Sequence, residues 1–451
     1  GSAYRQRGET GTILWLPNIR KTYPESLLSI SESRSHKCSD WTLAHQPDFR
    51  NFRTWNGNKK IQEIFQNPIS VDIASGEQFS EVTLGIFGVG TDPTAIGWIE
   101  ATSPTDGLTG FFQVLDYEIS FLDGADLPQV SSRLIFQDVR LDSGFSTTTF
   151  LINPNESVTT TVQLSLINGA STKIKSIEIV PKGIVELNVE DFFKDVDSVA
   201  VSGVNSSAPL FENSASEAYL IAEAGVDIAG FELVGKEGED LLGLNARPAS
   251  ELLSTLLFPQ LAVLDPFITE AVIGNFSDEA SIVTMTVYQE NGQIFNDEVQ
   301  TNPVTLALNP GQSLRIDLEE TFGFSGTTTI EGWLKVESTS PSINGSVSYS
   351  IPELGSIAAV SSVMEGSRKA LISHIGTSLG FFTGLATLNA GALAANVRVV
   401  ALMPNGTVLG TFTTTLQPGE RRSDLLSDII PEAEGQAGGM IWIESDVPVY
   451  L

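Results

Sequence analysis

Three arrangements in this chain bring together side chains of the kinds that do chemistry. Gly376-Thr377-Ser378-Leu379-Gly380 matches the Gly-x-Ser-x-Gly pattern of a nucleophile elbow, where a serine on a tight strand-to-helix turn is activated by a later histidine. The chain's three histidines are His36, His45 and His374, so none follows that serine and imidazole acid–base work has few candidates. The segment also fills a spacer whose counterparts elsewhere in the chain are unrelated, which argues against a catalytic serine. His36, Cys38 and His45 offer three soft ligands without a neighbouring fourth, a weak zinc pattern that a stray thiol and two solvated imidazoles explain as well. Asp195-Val196-Asp197 and Glu237-Gly238-Glu239-Asp240 are the densest acidic clusters. Oxygen ligands suit Ca²⁺, but neither cluster fits the EF-hand loop, so solvated acidic loops are the default reading. No catalytic residue, cofactor or metal ligand is assigned, calcium remaining a weak option. Paired carboxylates of a glycosidase cannot be matched up from sequence.

The elements that would position such residues repeat. An apolar stretch, a Thr, an Asn, an Asn-Gly pair, a Pro-Gly-type turn and an aromatic recur in one order. In copy three they are Leu261, Thr269, Asn275, Asn291-Gly292, Pro310-Gly311 and Trp333; in copy four, Ile375, Thr383, Asn389, Asn405-Gly406, Pro418-Gly419 and Trp442. Copy two follows with Val139, Thr147, Asn153, Asn168-Gly169, Pro181 and Tyr219. Copy one is the most diverged, keeping Asn56-Gly57, Ser75-Gly76 and Trp98, with an insertion near Ser33 to Arg53. The copies span 1–125, 126–247, 248–363 and 364–451. Repetition of a whole unit points to an array that works through length and surface.

Composition narrows the function classes. A formal net charge of −30 disfavours a nucleic-acid partner, because phosphate binding needs Lys and Arg. The charge is uneven: residues 1 to 70 carry ten basic and six acidic side chains, and the 55 residues after them carry nine acids and no base. A basic head on an acidic body could steer head-to-tail contacts between identical chains. A locally different surface without partners is the plainer explanation. The single cysteine excludes an internal disulfide framework. It leaves open a cross-link between chains. No apolar run approaches the roughly 18 residues needed to span a bilayer, so no transmembrane segment is expected.

Strand character dominates. Ser281 to Tyr288 alternates apolar and polar side chains before Asn291-Gly292, a pair that tolerates positive φ in a tight hairpin. Pro310-Gly311 and Pro418-Gly419 suit the centre of a type II turn, and single helical turns are expected after them, near 316–322 and 424–429. The fold class is therefore all-β: four tandem immunoglobulin-like antiparallel β-sandwich domains. The aromatics Trp98, Tyr219, Trp333 and Trp442 could be sugar-stacking platforms, but a large side chain at one place in every unit fits a repeated core anchor better.

The pattern Phe381 to Asn389, then Asn405-Gly406, Leu416-Gln417-Pro418-Gly419 and Trp442 to Pro448, resembles tandem sandwich repeats in large secreted or surface proteins of environmental bacteria. The likeness covers copies three and four well, copy two moderately and copy one weakly. It implies an extracellular or cell-surface location and no settled activity. Its motifs are turn and packing positions, so no catalytic residue comes with it.

Copy four stops at Leu451, nine residues past Trp442, whereas copies one and three continue into another strand. Either the recorded sequence is cut short or a strand from a neighbouring molecule completes the sheet. The second option assigns Ile13, Leu14, Trp15, Leu16 and Ile19 as donor, with Trp442, Val449, Tyr450 and Leu451 at the acceptor end. The expectation is a non-enzymatic structural protein, a fibre or surface-layer subunit that pairs with itself head-to-tail by strand complementation. An adhesin or carbohydrate-binding array on surface polysaccharide is the alternative, and a carbohydrate-active enzyme with accessory sandwiches the second.

Overall fold

The computed structural model describes residues 25–32, 41–43, 70–82, 98–101, 108–115, 122–141, 144–169, 171–200, 214–236, 241–378 and 381–451. Ile13, Leu14, Trp15, Leu16, Ile19, His36, Cys38, His45, the Asn56-Gly57 pair and the cluster 237–240 lie outside them. The described chain is all-β, with several antiparallel sheets and a few single helical turns.

Copy three shows the plan most fully. It contains β17 (Thr255–Val263), β18 (Ile268–Asn275), β19 (Ser281–Gln289), β20 (Val304–Leu308), β21 (Ser313–Asp317), α2 (Leu318–Phe322), β22 (Ile330–Ser338), β23 (Ile343–Ile351) and β24 (Ser356–Ser361). One sheet runs β17-β22-β19-β20 and the other β21-β18-β23-β24. Copy one contributes β1 (Glu25–Glu32), β2 (Trp41–Leu43), β3 (Gln78–Val82), β4 (Ile99–Ala101), β5 (Leu108–Leu115) and β6 (Leu122–Asp126). Its order β3-β1-β5-β6 is that of β21-β18-β23-β24, and β2 pairs with β4 as β19 does with β22.

Copy two holds β7 (Ser131–Val139), β8 (Ser146–Ile152), β9 (Thr160–Asn168), β10 (Ser171–Ile179), β11 (Ile184–Asn188), α1 (Val189–Phe193), β12 (Val199–Ala200), β13 (Ser214–Ser216), β14 (Ala218–Gly235), β15 (Leu241–Asn245) and β16 (Arg247–Pro248). Here one strand of 18 residues, β14, does the work of β22 and β23. Its first half lies between β7 and β9 and its second half between β8 and β15. Copy four has β25 (Ser367–Ile372), β26 (Gly384–Leu388), β27 (Ala395–Leu402), β28 (Val408–Leu416), β29 (Arg421–Leu425), α3 (Leu426–Ile429) and β30 (Met440–Val449). Its sheets are β25-β30-β27-β28 and β26-β29. On the second edge of β26, Leu388 and Tyr450 exchange both backbone hydrogen bonds, at the register position where Gly274 meets Asn344 in copy three. The strand order differs from the immunoglobulin one, where the first strand belongs to the sheet of the second; β17 instead joins β22 in the opposite sheet.

Alternation explains which faces meet. In β20 the residues Val304, Leu306 and Leu308 point inward and Thr305 and Ala307 outward. The core of copy three draws on both sheets, Val283, Met285, Val287, Leu334 and Val336 facing Ala271, Ile273, Leu314, Ile316 and Val347. Copies two and four have separate cores of the same kind. Each buried Leu, Val or Phe side chain contributes about 1.5–3 kcal/mol.

The recurring positions each have a local task. The Thr closes the hairpin at the front of the unit: Thr147 Oγ1 accepts from the Arg140 N–H, Thr383 Oγ1 from the Gly376 N–H, and Thr269 donates to the Ala262 carbonyl. The Asn is fully buried in copies two, three and four. Asn275 Nδ2 donates to the carbonyls of Glu279 and Leu308, while Oδ1 accepts from Ser277 N–H. Asn153 and Asn389 repeat this clasp. Asn275→Ala strands the buried Leu308 carbonyl while the Glu279 carbonyl can turn to water, so a loss of about 1–3 kcal/mol is expected, read as a lower urea midpoint for copy three.

At the turns, Val180–Gly183, Asn309–Gln312 and Gln417–Glu420 each close with a hydrogen bond from residue four to residue one, and Ala74–Glu77 does the same in copy one. Their third residues, Gly76, Lys182, Gly311 and Gly419, all have positive φ. In copies three and four the Asn-Gly pairs sit in loops of three residues: only the glycine takes positive φ, and Gln289–Gln293 and Met403–Thr407 close the loops. The single helical turns fall where expected, at Leu318–Phe322 and Leu426–Ile429.

Candidate functional site: the seams between copies

Tyr219 and Trp333 stand apart from the main core clusters of their own copies, and Trp98, Tyr219 and Trp333 each reach across a seam to the next copy, a junction role beside the expected core anchor. Trp98 Nε1 donates to the Lys182 carbonyl at 3.0 Å, Tyr219 Oη to the Gly311 carbonyl at 2.9 Å and Trp333 Nε1 to the Gly419 carbonyl at 3.1 Å. In each case the acceptor is the positive-φ residue of the turn in the following copy. That conformation turns the carbonyl outward from the unit, where the aromatic of its neighbour reaches it. All three rings are buried. Trp333 stacks on Tyr288 with centroids 4.0 Å apart and packs with Leu257 of its own copy and Leu388 and Tyr450 of the next. Tyr219 meets Phe276 edge-on.

The seam between copies three and four has further parts. A Cβ on Gly292 of the Asn-Gly turn would lie 2.7 Å from the Gly419 oxygen, so only glycine allows the two turns to touch. The Arg421 N–H donates to the Glu290 carbonyl at 2.7 Å. Its guanidinium is fully buried and donates to the Pro259 carbonyl at 3.0 Å, to Glu290 at 2.8 Å, to Glu331 at 3.2 Å and to Gln260.

Copy four meets copy one in the same way. Gln78 follows Gly76 by two residues, as Arg421 follows Gly419. Its N–H donates to the Pro404 carbonyl at 2.8 Å, the counterpart of the bond to Glu290, and its side-chain Nε2 donates to the Ser373 carbonyl, the counterpart of the bond to Pro259. Gln78 Oε1 accepts from the Gly439 N–H at 2.6 Å. Gly406 abuts Gly76 as Gly292 abuts Gly419. The aromatic differs: Trp442 is half-buried, and its indole beside Glu444 helps hold that carboxyl below its usual range. Trp442 lines a cavity of about 270 Å³ with Ser75, Gly76, Leu371, Val400 and Met440.

The seam between copies two and three carries charge. Arg315 donates to Glu217 at 2.8 Å, to Glu270 at 3.2 Å and to Asp138, and Arg140 donates to Asp138 at 3.2 Å. Asp138 is 1 % exposed. Burial pushes it upward, but the two guanidiniums outweigh burial and hold it below the usual carboxylate range. Burial dominates at Glu217, pushed up to about 7 against the pull of Arg315, and at Glu232, raised well above 4.5 by burial and by Asp138. β13 of copy two also adds to the edge of β21, a strand shared across a seam.

The sign of the pH effect follows. A carboxyl whose folded-state pKa lies above its unfolded value supports folding fully below about pH 4.5 and loses that support as the pH rises toward 7. Asp138 acts in the opposite sense, but only below its ordinary value of 3.8. This region is therefore expected to be tightest near pH 5 and to loosen as the pH rises, by up to about 1.4 kcal/mol per pH unit for each of the two raised carboxyls, Glu217 and Glu232. Calorimetric midpoints at pH 5 and pH 8 check this, with Glu217→Gln expected to remove part of the difference.

Of the remaining sequence candidates, Val449 is buried in the core of copy four, with Leu451 packed against it, and Tyr450 lies in the seam with Trp333. Gly376 forms a bridge with Ala437, and Thr377 donates to the Ala433 carbonyl, so these two residues of the spacer are held by the loop at 433–437. His374 lies against Phe111 of copy one. Sequence reasoning missed Asp138, Arg140, Glu217, Arg315, Arg421 and Gln78. Only the position of Gln78 and Arg421, two residues past the turn glycine, was open to detection.

No family model and no curated protein matches the chain. Among solved structures, a tetra-tandem repeat in the extending region of a large adhesion protein is similar over 90% of this chain and 84% of that one, at 11% identity and a TM-score of 0.10. A superposition that loose carries no argument. No described helix is long and apolar enough to cross a membrane.

Proposed function

We propose that this protein is a non-enzymatic structural protein of the extracellular space or cell surface, built from four sandwich repeats at 1–125, 126–247, 248–363 and 364–451. The repeats are immunoglobulin-like in the broad sense of two facing antiparallel sheets, and the chains assemble head-to-tail into a fibre or layer. One observation carries this reading: two bonds of the contact between copies three and four, from the backbone N–H and the side chain of Arg421 to carbonyls of copy three, recur at Gln78 between copies four and one. Each copy thus holds one half of the seam at its aromatic end and the other half at its turn; within one chain the four copies close on themselves, and the same contact made between chains would extend into a fibre or layer. The addition of β13 to β21 supports strand complementation as part of the same joining. Burial of Trp98, Tyr219 and Trp333 puts three of the four recurring aromatics out of reach of a sugar ligand, which weighs against a sugar-binding array.

Electron microscopy of the purified chain at native salt, with sedimentation velocity, tests the proposal. Filaments or sheets with a repeat the length of one chain are expected. Deleting residues 1–19 should abolish them if the donor strand lies there. A strictly monomeric chain across the concentration range would refute the reading.

A further inference from the structure

The seam between copies four and one has the backbone bonds of its counterpart but not its filling. Ladder register aligns Ser31 with Gln78 and Thr109 in copy one, as Leu388 aligns with Arg421 and Tyr450 in copy four. Ser31 and Thr109 thus occupy the positions of the two apolar residues that pack on Trp333. A cavity of about 270 Å³ lies over Trp442, whose indole stands beside Glu444, whereas its three counterparts donate to a turn carbonyl. Gln78, a neutral side chain, also stands where the other seam has a buried guanidinium held by two carboxylates. Less apolar area and one charge-assisted set fewer make this the weakest form of a contact that the chain makes elsewhere in full.

We propose that the Ser75–Gly76 turn and the Trp442 face form a latch that is closed within one chain here and is exchanged between chains on assembly, the turn of a second copy taking the place of the chain's own. This rests on the head-to-tail reading above and names its interface. The occupant is a second copy because the same face-and-turn contact already joins copy to copy along the chain, so another molecule brings the matching half with no new surface. Exchange relieves the requirement that four copies close on themselves, and leaves Trp442 free to reach the Gly76 carbonyl.

The test locks the latch. In a Cys38→Ser background, Ser75→Cys and Val408→Cys place one thiol on each side of the cavity, and a short cleavable bis-maleimide joins them at low concentration. The locked chain is expected to stay monomeric at concentrations where the unlocked chain assembles, with at least a tenfold loss of polymer by light scattering, and cleaving the linker should restore assembly. Polymer formed equally well by the locked chain would overturn the latch while leaving head-to-tail assembly standing. Failure to form any cross-link within one chain would also overturn it. Absence of polymer from the unlocked chain would overturn both.

Discussion

Arg315→Ala is expected to destabilise the junction of copies two and three by about 3–5 kcal/mol, the range for removing one partner of a buried ion pair. The cost comes from what is left behind. Asp138 is 1 % exposed and keeps only Arg140, while Glu217, 8 % exposed, loses its bond to the guanidinium. Neither carboxylate can turn to water. Arg421→Ala serves as the contrast, because its partners Glu290 and Glu331 are 54 % and 46 % exposed and can resolvate once the guanidinium is gone. A smaller loss is expected there, although Arg421 is the more deeply buried of the two. Urea unfolding of both variants at pH 7 checks the order. Glu217→Gln combined with Arg315→Met should recover part of the loss, since Asp138 keeps Arg140 and no charge is then left unpaired at 217 or 315. Equal losses for the two single variants would mean that the seam charges are solvated.

The second large effect is Trp333→Ala, expected to cost about 3–5 kcal/mol, as for other buried Trp and Phe truncations. Trp333 is 4 % exposed and sits between Tyr288 and Leu257 of its own copy and Leu388 and Tyr450 of the next. Its loss should fall on the coupling of copies three and four more than on either core, because the core of copy three does not include it. The measurable sign is a calorimetric transition that splits, copy four melting apart from copy three. Trp333→Phe keeps a ring against Tyr288 but removes the donor to the Gly419 carbonyl, so a smaller loss of about 1 kcal/mol from that bond, plus some packing, is expected. Trp442→Ala should be milder than Trp333→Ala, since Trp442 borders a cavity and is only half-buried. A cooperative, unsplit melt of Trp333→Ala would place the residue's role inside the sandwich.

The sequence by itself determined the strand-rich class, the repeat register and the turns. Thr269, Asn275, Gly311 and Gly419 are legible because their tasks are local: a hydroxyl closing a hairpin seven residues back, an amide tying a loop four residues on, a glycine accepting positive φ. Such tasks fix both residue type and spacing, so they survive as pattern. The tertiary structure alone decided what the aromatics and charges do. Asp138 and Arg315 are 177 residues apart, and nothing in the periodicity of either strand marks them as partners. Trp98, Tyr219 and Trp333 read equally well as core anchors, because sequence registers that a large apolar side chain is buried but not against which body. The same holds for Gln78, an ordinary polar residue of a diverged copy until docking sets it on the Pro404 and Ser373 carbonyls. Local rules are written in neighbouring residues, whereas the seams arise from how whole sheets pack, and that depends on surfaces assembled from distant parts of the chain.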